Sequence, residues 1–155
     1  FAAGEPGKGR RLYVQAISGG TPVAISPEGI RGSVEGLGIG PVSPDGLWFF
    51  GARGPGKWLL FPMEGGDPRP IVGLGRQDFP IRWASDRSLW VQGSSTGDVW
   101  RLNPQTGRKT PSGKSLKASL GNVAFMRVVM TPDGRAYAYG VRNVHSILYL
   151  VEGLR

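Results

Sequence analysis

The chain reads as an all-β protein assembled from repeated four-stranded antiparallel units, and three observations lead there. Its 155 residues include 26 Gly and 13 Pro, spread along the whole length. Between them lie short apolar runs rich in Trp, Phe, Tyr and Val. A turn followed by an aromatic strand then recurs at nearly constant spacing.

Gly and Pro disfavour helix, because Gly costs a helix interior about 1 kcal/mol relative to Ala and Pro about 3. No stretch between successive Gly or Pro residues exceeds 12 residues, and the longest, Ile81 to Gln92 and Val141 to Glu152, are rich in strand formers. Disorder is excluded by the apolar content: 39% of residues are hydrophobic, with five Trp, six Phe and four Tyr. There are no cysteines, hence no disulfides and no thiolate metal sites. No apolar run approaches the roughly 18 residues that a membrane helix needs. The chain opens Phe1-Ala2-Ala3-Gly4, with neither a start methionine nor a signal peptide, so more chain is expected upstream.

Taken in order, the elements form two recurring units. Leu12-Tyr13-Val14 leads into the turn Gly19-Gly20-Thr21-Pro22. Ser43-Pro44-Asp45-Gly46 precedes Leu47-Trp48-Phe49-Phe50, and Trp58-Leu59-Leu60-Phe61 leads into Gly65-Gly66-Asp67-Pro68. Ala84-Ser85-Asp86-Arg87 precedes Ser88-Leu89-Trp90-Val91, keeping the Asp while losing Pro and Gly. Val99-Trp100-Arg101-Leu102 leads into Thr106-Gly107. Thr131-Pro132-Asp133-Gly134 precedes Ala136-Tyr137-Ala138-Tyr139, and Leu148-Tyr149-Leu150 leads into Glu152-Gly153. Asp45, Asp86 and Asp133 are spaced 41 and 47 residues apart, and the two Gly-Gly turns 46.

The turn chemistry has a mechanism. Pro presets φ for the first corner, Asp binds a backbone N–H, and Gly accepts the positive φ with which the chain re-enters a strand. Gly-Gly pairs serve hairpins. A period of about 40–50 residues with about four strands per unit is the signature of propeller blades. The expected fold is therefore a β-propeller fragment of about three to four blades. One blade ends over 8–26, others span 42–74 and 80–113, and the last covers 123–155. A closed ring needs about 4–8 blades, so either further blades precede Phe1 or the open blade edges self-associate.

At these residues the sequence resembles the TolB-like propellers, related in architecture to WD-repeat propellers. The closing segments, Thr131 to Tyr139 and Ser146 to Arg155, are similar to the C-terminal end of propellers appended to bacterial serine/threonine protein kinases. Pro80-Ile81-Arg82-Trp83 and Ile25-Ser26-Pro27-Glu28-Gly29 suit the same group, whereas Lys114 to Asn122 departs from the pattern. The resemblance implies a kinase domain upstream, separated by a membrane span, and an extracytoplasmic or periplasmic propeller that senses or docks a partner. No kinase catalytic loop, Asp-Phe-Gly or kinase Gly-rich loop occurs in this chain.

Several motifs are matched only in part. Gly51 to Lys57 fits the first seven positions of a P-loop, but Trp58 replaces the Mg²⁺-binding hydroxyl and opens a strand, not a helix. Gly93-Ser94-Ser95-Thr96-Gly97 fits a nucleophile elbow, with Asp133 and His145 in hydrolase order, but another strand follows it. Gly36-Leu37-Gly38-Ile39-Gly40 has no helix after it and reads as a link into the next blade. Asp45, Asp86, Asp98 and Asp133 lack calcium-loop spacing, and His145 is a lone histidine. No catalytic, cofactor-binding or metal residue is assigned. Ser43, Pro44, Asp45, Gly46, Asp86, Thr131, Pro132, Asp133, Gly134, Gly19, Gly20, Gly65 and Gly66 are read as structural turns.

The net charge is +8, with clusters at Lys8, Arg10 and Arg11 and at Arg108, Lys109, Lys114 and Lys117. Both fall in loops and lack interleaved aromatics, so no nucleic-acid partner is expected. The expected function is a non-catalytic interaction or sensor propeller, with a protein or small ligand at its rim. The alternatives are a free-standing periplasmic binding propeller and the accessory propeller of a hydrolase.

Overall fold

The structure is a computed structural model that describes residues 1–32, 41–54, 56–93, 97–115, 123–143, 147–149 and 153, with backbone alone at 31–32, 114–115, 123–127 and 141–143. It is all-β: the described residues form four antiparallel sheets and no helix. The first sheet joins β1 (Ala2–Ala3), β2 (Arg11–Val14) and β3 (Val23–Ala24) in that order. The second runs β4 (Arg31–Gly32), β5 (Trp48–Ala52), β6 (Trp58–Pro62) and β7 (Arg69–Pro70). The third runs β8 (Asp78–Trp83), β9 (Leu89–Gly93), β10 (Asp98–Leu102) and β11 (Lys109–Ser115). In the fourth, β12 (Val123–Met130) pairs β13 (Tyr137–Asn143). Each sheet is a meander in chain order.

The apolar runs explain how the sheets meet. Along a strand, successive side chains point to opposite faces. Runs such as Trp48-Phe49-Phe50 and Leu89-Trp90-Val91 are therefore apolar on both faces, which suits a sheet covered on both sides. Phe61 and the flanking Phe49 and Leu59 pack with Leu12, Ile25 and Ile30 between the first and second sheets. The alternate residues Phe50, Trp58 and Leu60 pack with Trp83, Leu89, Val91 and Leu102 between the second and third. Ala84, Trp90 and Val99 pack with Val128 and Met130 between the third and fourth. Three cores are thus each shared by two sheets consecutive in the chain.

Proline marks the edges of the third sheet. Pro80 lies on the edge strand β8 and Pro111 on the opposite edge strand β11, and each pairing shifts register beside it. A residue without an N–H is tolerated at such positions, and the irregularity blunts the edge against further pairing.

The closing segment departs from the sequence expectation. Ile147, Leu148 and Tyr149 form no strand, and all three side chains are exposed, Leu148 at 96%. Left exposed among the described residues, these side chains gain no burial to set against the entropy of ordering the chain. Leu150 and the Glu152 turn residue, like 33–40, 94–96 and 116–122, lie outside the described residues, as do Ser95 and His145.

Candidate functional site: the two ends of the sheets

In a four-stranded meander the first and third hairpins share one end, and the second lies at the other. The Asp turns are the first hairpins of their sheets and the Gly turns at 65–66 and 106–107 the third, so both occupy one end. The hairpin 53–57 between β5 and β6 occupies the opposite end, and 4–10 between β1 and β2 is its counterpart in the first sheet.

The three Asp turns close in the same way. Gly46 N–H donates to the Ser43 carbonyl at 2.9 Å, Arg87 N–H to Ala84 at 3.1 Å and Gly134 N–H to Thr131 at 2.9 Å. The residue after each Asp has positive φ: 72° at Gly46, 70° at Gly134 and 65° at Arg87. One carboxylate oxygen of Asp45, Asp86 and Asp133 accepts the N–H of Leu47, Ser88 and Arg135, at 3.1, 3.1 and 3.0 Å. The Ser43 hydroxyl donates to Asp45 and accepts the Trp48 N–H at 2.9 Å, and Thr131 does the same with Asp133 and the Ala136 N–H. Ala84 has no hydroxyl. The Ser88 hydroxyl replaces it, donating to Asp86 at 2.6 Å from the other side of the turn.

These bonds set the electrostatics. The Ser43 hydroxyl and the Leu47 N–H hold Asp45 below the ordinary carboxylate pKa, and Thr131 and the Arg135 N–H do so for Asp133. Burial is the largest influence on Asp86 and pushes its pKa up, but the Ser88 hydroxyl and N–H with the Arg101 guanidinium together outweigh it, so its pKa too is lowered.

The turns also bind their sheets to one another. Arg87 reaches Asp45 of the neighbouring sheet at 3.6 Å. Within the third sheet, Arg101 pairs with Asp86, donates to the Ser88 hydroxyl at 3.1 Å and lies over the Trp90 ring. The Trp90 indole N–H donates to the Pro132 carbonyl at 3.1 Å, and the Trp83 indole to Pro41 at 2.9 Å. The Arg82 guanidinium donates to the Met130 carbonyl at 2.8 Å. Gly19, Gly20, Gly65 and Gly66 all take positive φ in the Gly-Gly hairpins. Gly19 N–H closes a turn on the Ala16 carbonyl and Gly65 N–H one on Pro62, and Gly20 and Gly66 follow these turns. Pro44 and Pro132 occupy the second position of the Asp turns, and the end that carries them is held by its own hydrogen bonds.

Of the basic clusters, the first is neutralised locally: Lys8 pairs with Glu5, Arg11 with Glu28, and Arg10 is also engaged. In the second, Lys109 pairs with Asp78 at 3.2 Å and lies over the Trp100 ring. Lys117 and the Lys114 side chain lie outside the described residues. Sequence reasoning passed over a third group, Arg53, Lys57 and Arg76, because Arg76 is distant from the others in the chain. Among the described residues, no three His, Cys, Asp or Glu side chains gather as a metal site. Trp58 opens β6 and Asp98 opens β10, each a strand rather than a helix. Comparison with protein-family models, with curated proteins and with solved structures finds no match to this chain.

Proposed function

We propose that the four sheets are successive blades of a β-propeller and that the chain works as a non-catalytic recognition or sensor module, the C-terminal module of a bacterial serine/threonine protein kinase. The observation that carries the reading is the pair of central sheets. Each is a four-stranded meander in chain order, and each is apolar on both faces. A sheet of this kind needs a neighbour on either side, and repetition of the unit supplies one. The turn end supports a scaffold role, because the carboxylates of Asp45, Asp86 and Asp133 are engaged within their own turns rather than poised for acid–base work. Recognition then falls to the loops, which vary freely on such a scaffold. The kinase association rests on the resemblance of Thr131 to Tyr139 and of the closing segment.

The intact gene's polypeptide tests this. A kinase domain followed by a membrane span and further blades is the expected content. A signal peptide leading directly into blades would replace the reading with a periplasmic binding propeller, and an adjoining hydrolase domain with an accessory propeller. Ester or peptide hydrolysis by this chain that Ser95→Ala abolishes would overturn the non-catalytic assignment.

A further inference from the structure

Arg53 and Lys57 face each other across a tight hairpin, the Arg53 N–H donating to the Lys57 carbonyl at 2.9 Å and the Lys57 N–H to Gly54 at 3.2 Å. Like charges directly opposite across a hairpin repel. A third cation is held beside them by the backbone. A Cβ at Gly56 would lie 2.7 Å from the Arg76 carbonyl oxygen, so the hairpin tip and the 71–77 connection touch, and only glycine fits there at φ +67°. All three side chains belong to exposed residues, and among the described residues none of them forms an ion pair. The carboxylate nearest in sequence, Asp78, is taken by the Gly75 N–H at 2.7 Å and by Lys109. The counterpart hairpin of the first sheet carries the same kind of charge but supplies its own Glu5, with Glu28 alongside. Next to Lys57 in the chain, Trp58 packs edge-on against Phe79, which is 44% exposed, and the buried Trp58 indole N–H has no acceptor among the described residues.

We propose that Arg53, Lys57 and Arg76 form a docking site for an acidic segment of a protein partner, a short carboxylate-rich stretch with an apolar residue that covers Phe79. Charge complementarity carries the assignment, since an external carboxylate cluster supplies what Glu5 and Glu28 supply in the first sheet. A peptide fits better than a nucleic acid. Tracking a phosphate backbone needs a continuing stripe of cations, but the sequence between β9 and β10 in the third sheet, Gly93 to Gly97, has none. The proposal rests on the recognition reading, and the two fail separately. A parent protein without a propeller leaves this site standing, and a wild-type chain that ignores acidic peptides removes the site alone.

The test is fluorescence anisotropy with a labelled Glu-rich octapeptide containing one Leu, at low salt. Saturable binding is expected, weakened about fivefold or more in Arg53→Gln/Lys57→Gln and further when Arg76→Gln is added, since exposed pairs are individually weak. Arg108→Gln, at the opposite end, should leave binding unchanged. The melting temperature of the charge variants should equal or exceed that of wild type, because repulsion is relieved; this separates lost binding from lost folding. The charge reversal Arg53→Glu/Lys57→Glu should abolish binding. Equal affinity in the triple variant, or equal weakening by Arg108→Gln, would overturn the site. So would an oligonucleotide of matched charge that binds more tightly and loses binding in the same variants.

Discussion

At the end of the sheets that carries the Asp turns, Asp45, Asp86 and Asp133 each accept a backbone N–H inside their own turn, and Arg87 and Arg101 find acidic partners within reach. At the other end Arg53 and Lys57 are bonded through their backbones and Arg76 approaches the same turn through Gly56, yet none of the three forms an ion pair among the described residues. The same residue types thus do different work. Charge satisfied within the fold organises the fold, and charge left unsatisfied beside an exposed aromatic is available to a partner.

The comparison can be broken most severely at Gly134. A Cβ there would lie 2.4 Å from Cζ2 of Trp90, at φ +70°. Gly134→Ala combines a left-handed backbone with overpacking and should cost about 3 kcal/mol in urea denaturation. Gly46→Ala shares the φ but meets nothing within 4 Å, and should cost only about 1 kcal/mol. Equal losses would mean that the turn does not lock the third and fourth sheets together.

Ser43→Ala comes next. It removes the hydroxyl that serves both Asp45 and the Trp48 N–H, in a residue only 4% exposed. A loss of about 1.5 kcal/mol is expected by chemical denaturation. Ser43→Thr, which restores the chemistry found at Thr131, should recover most of it.

Acid weakens the turn end next, with a definite sign. The folded pKa values of Asp45, Asp86 and Asp133 are lowered. Their contribution is therefore complete above the unfolded value of about 3.9 and is lost as pH falls through the lower folded values. Relative to wild type, the stability deficit of Asp45→Asn should be largest near neutrality and close as the solution is acidified through that window, as pH-dependent urea titrations would read. A deficit that grows on acidification would contradict the assigned direction.

The smallest effect lies at the opposite end. Lys57→Gln relieves repulsion against Arg53 and should raise stability by about 0.3 kcal/mol at low salt, vanishing at high salt. A loss at low salt would reveal an intramolecular acid at that hairpin.

Much of the turn end was legible because its chemistry is local: Ser43-Pro44-Asp45-Gly46 and Thr131-Pro132-Asp133-Gly134 contain their own bonding partners. The middle turn showed only its Asp. Its left-handed residue is Arg87, a type that does not advertise positive φ, and its hydroxyl comes from Ser88, on the far side of the Asp. Two-residue strands such as β1 and β4 have no periodicity to read and exist through their pairing alone. The run Leu148-Tyr149-Leu150 looked like a strand because composition does not reveal whether a side chain such as Leu148 or Tyr149 will be covered. The Arg53, Lys57 and Arg76 group stayed hidden for a tertiary reason: the contact of Gly56 with Arg76 brings together segments that the sequence keeps apart.

An experimental structure of the full polypeptide encoded by the gene is the most direct test of the propeller account. The account predicts that the sheets holding Leu12, Phe50, Trp90 and Val128 are consecutive blades of one closed ring, with the Asp turns on a common rim. Sheets arranged instead as a two-layer sandwich, or as an open stack with no shared axis, would contradict it.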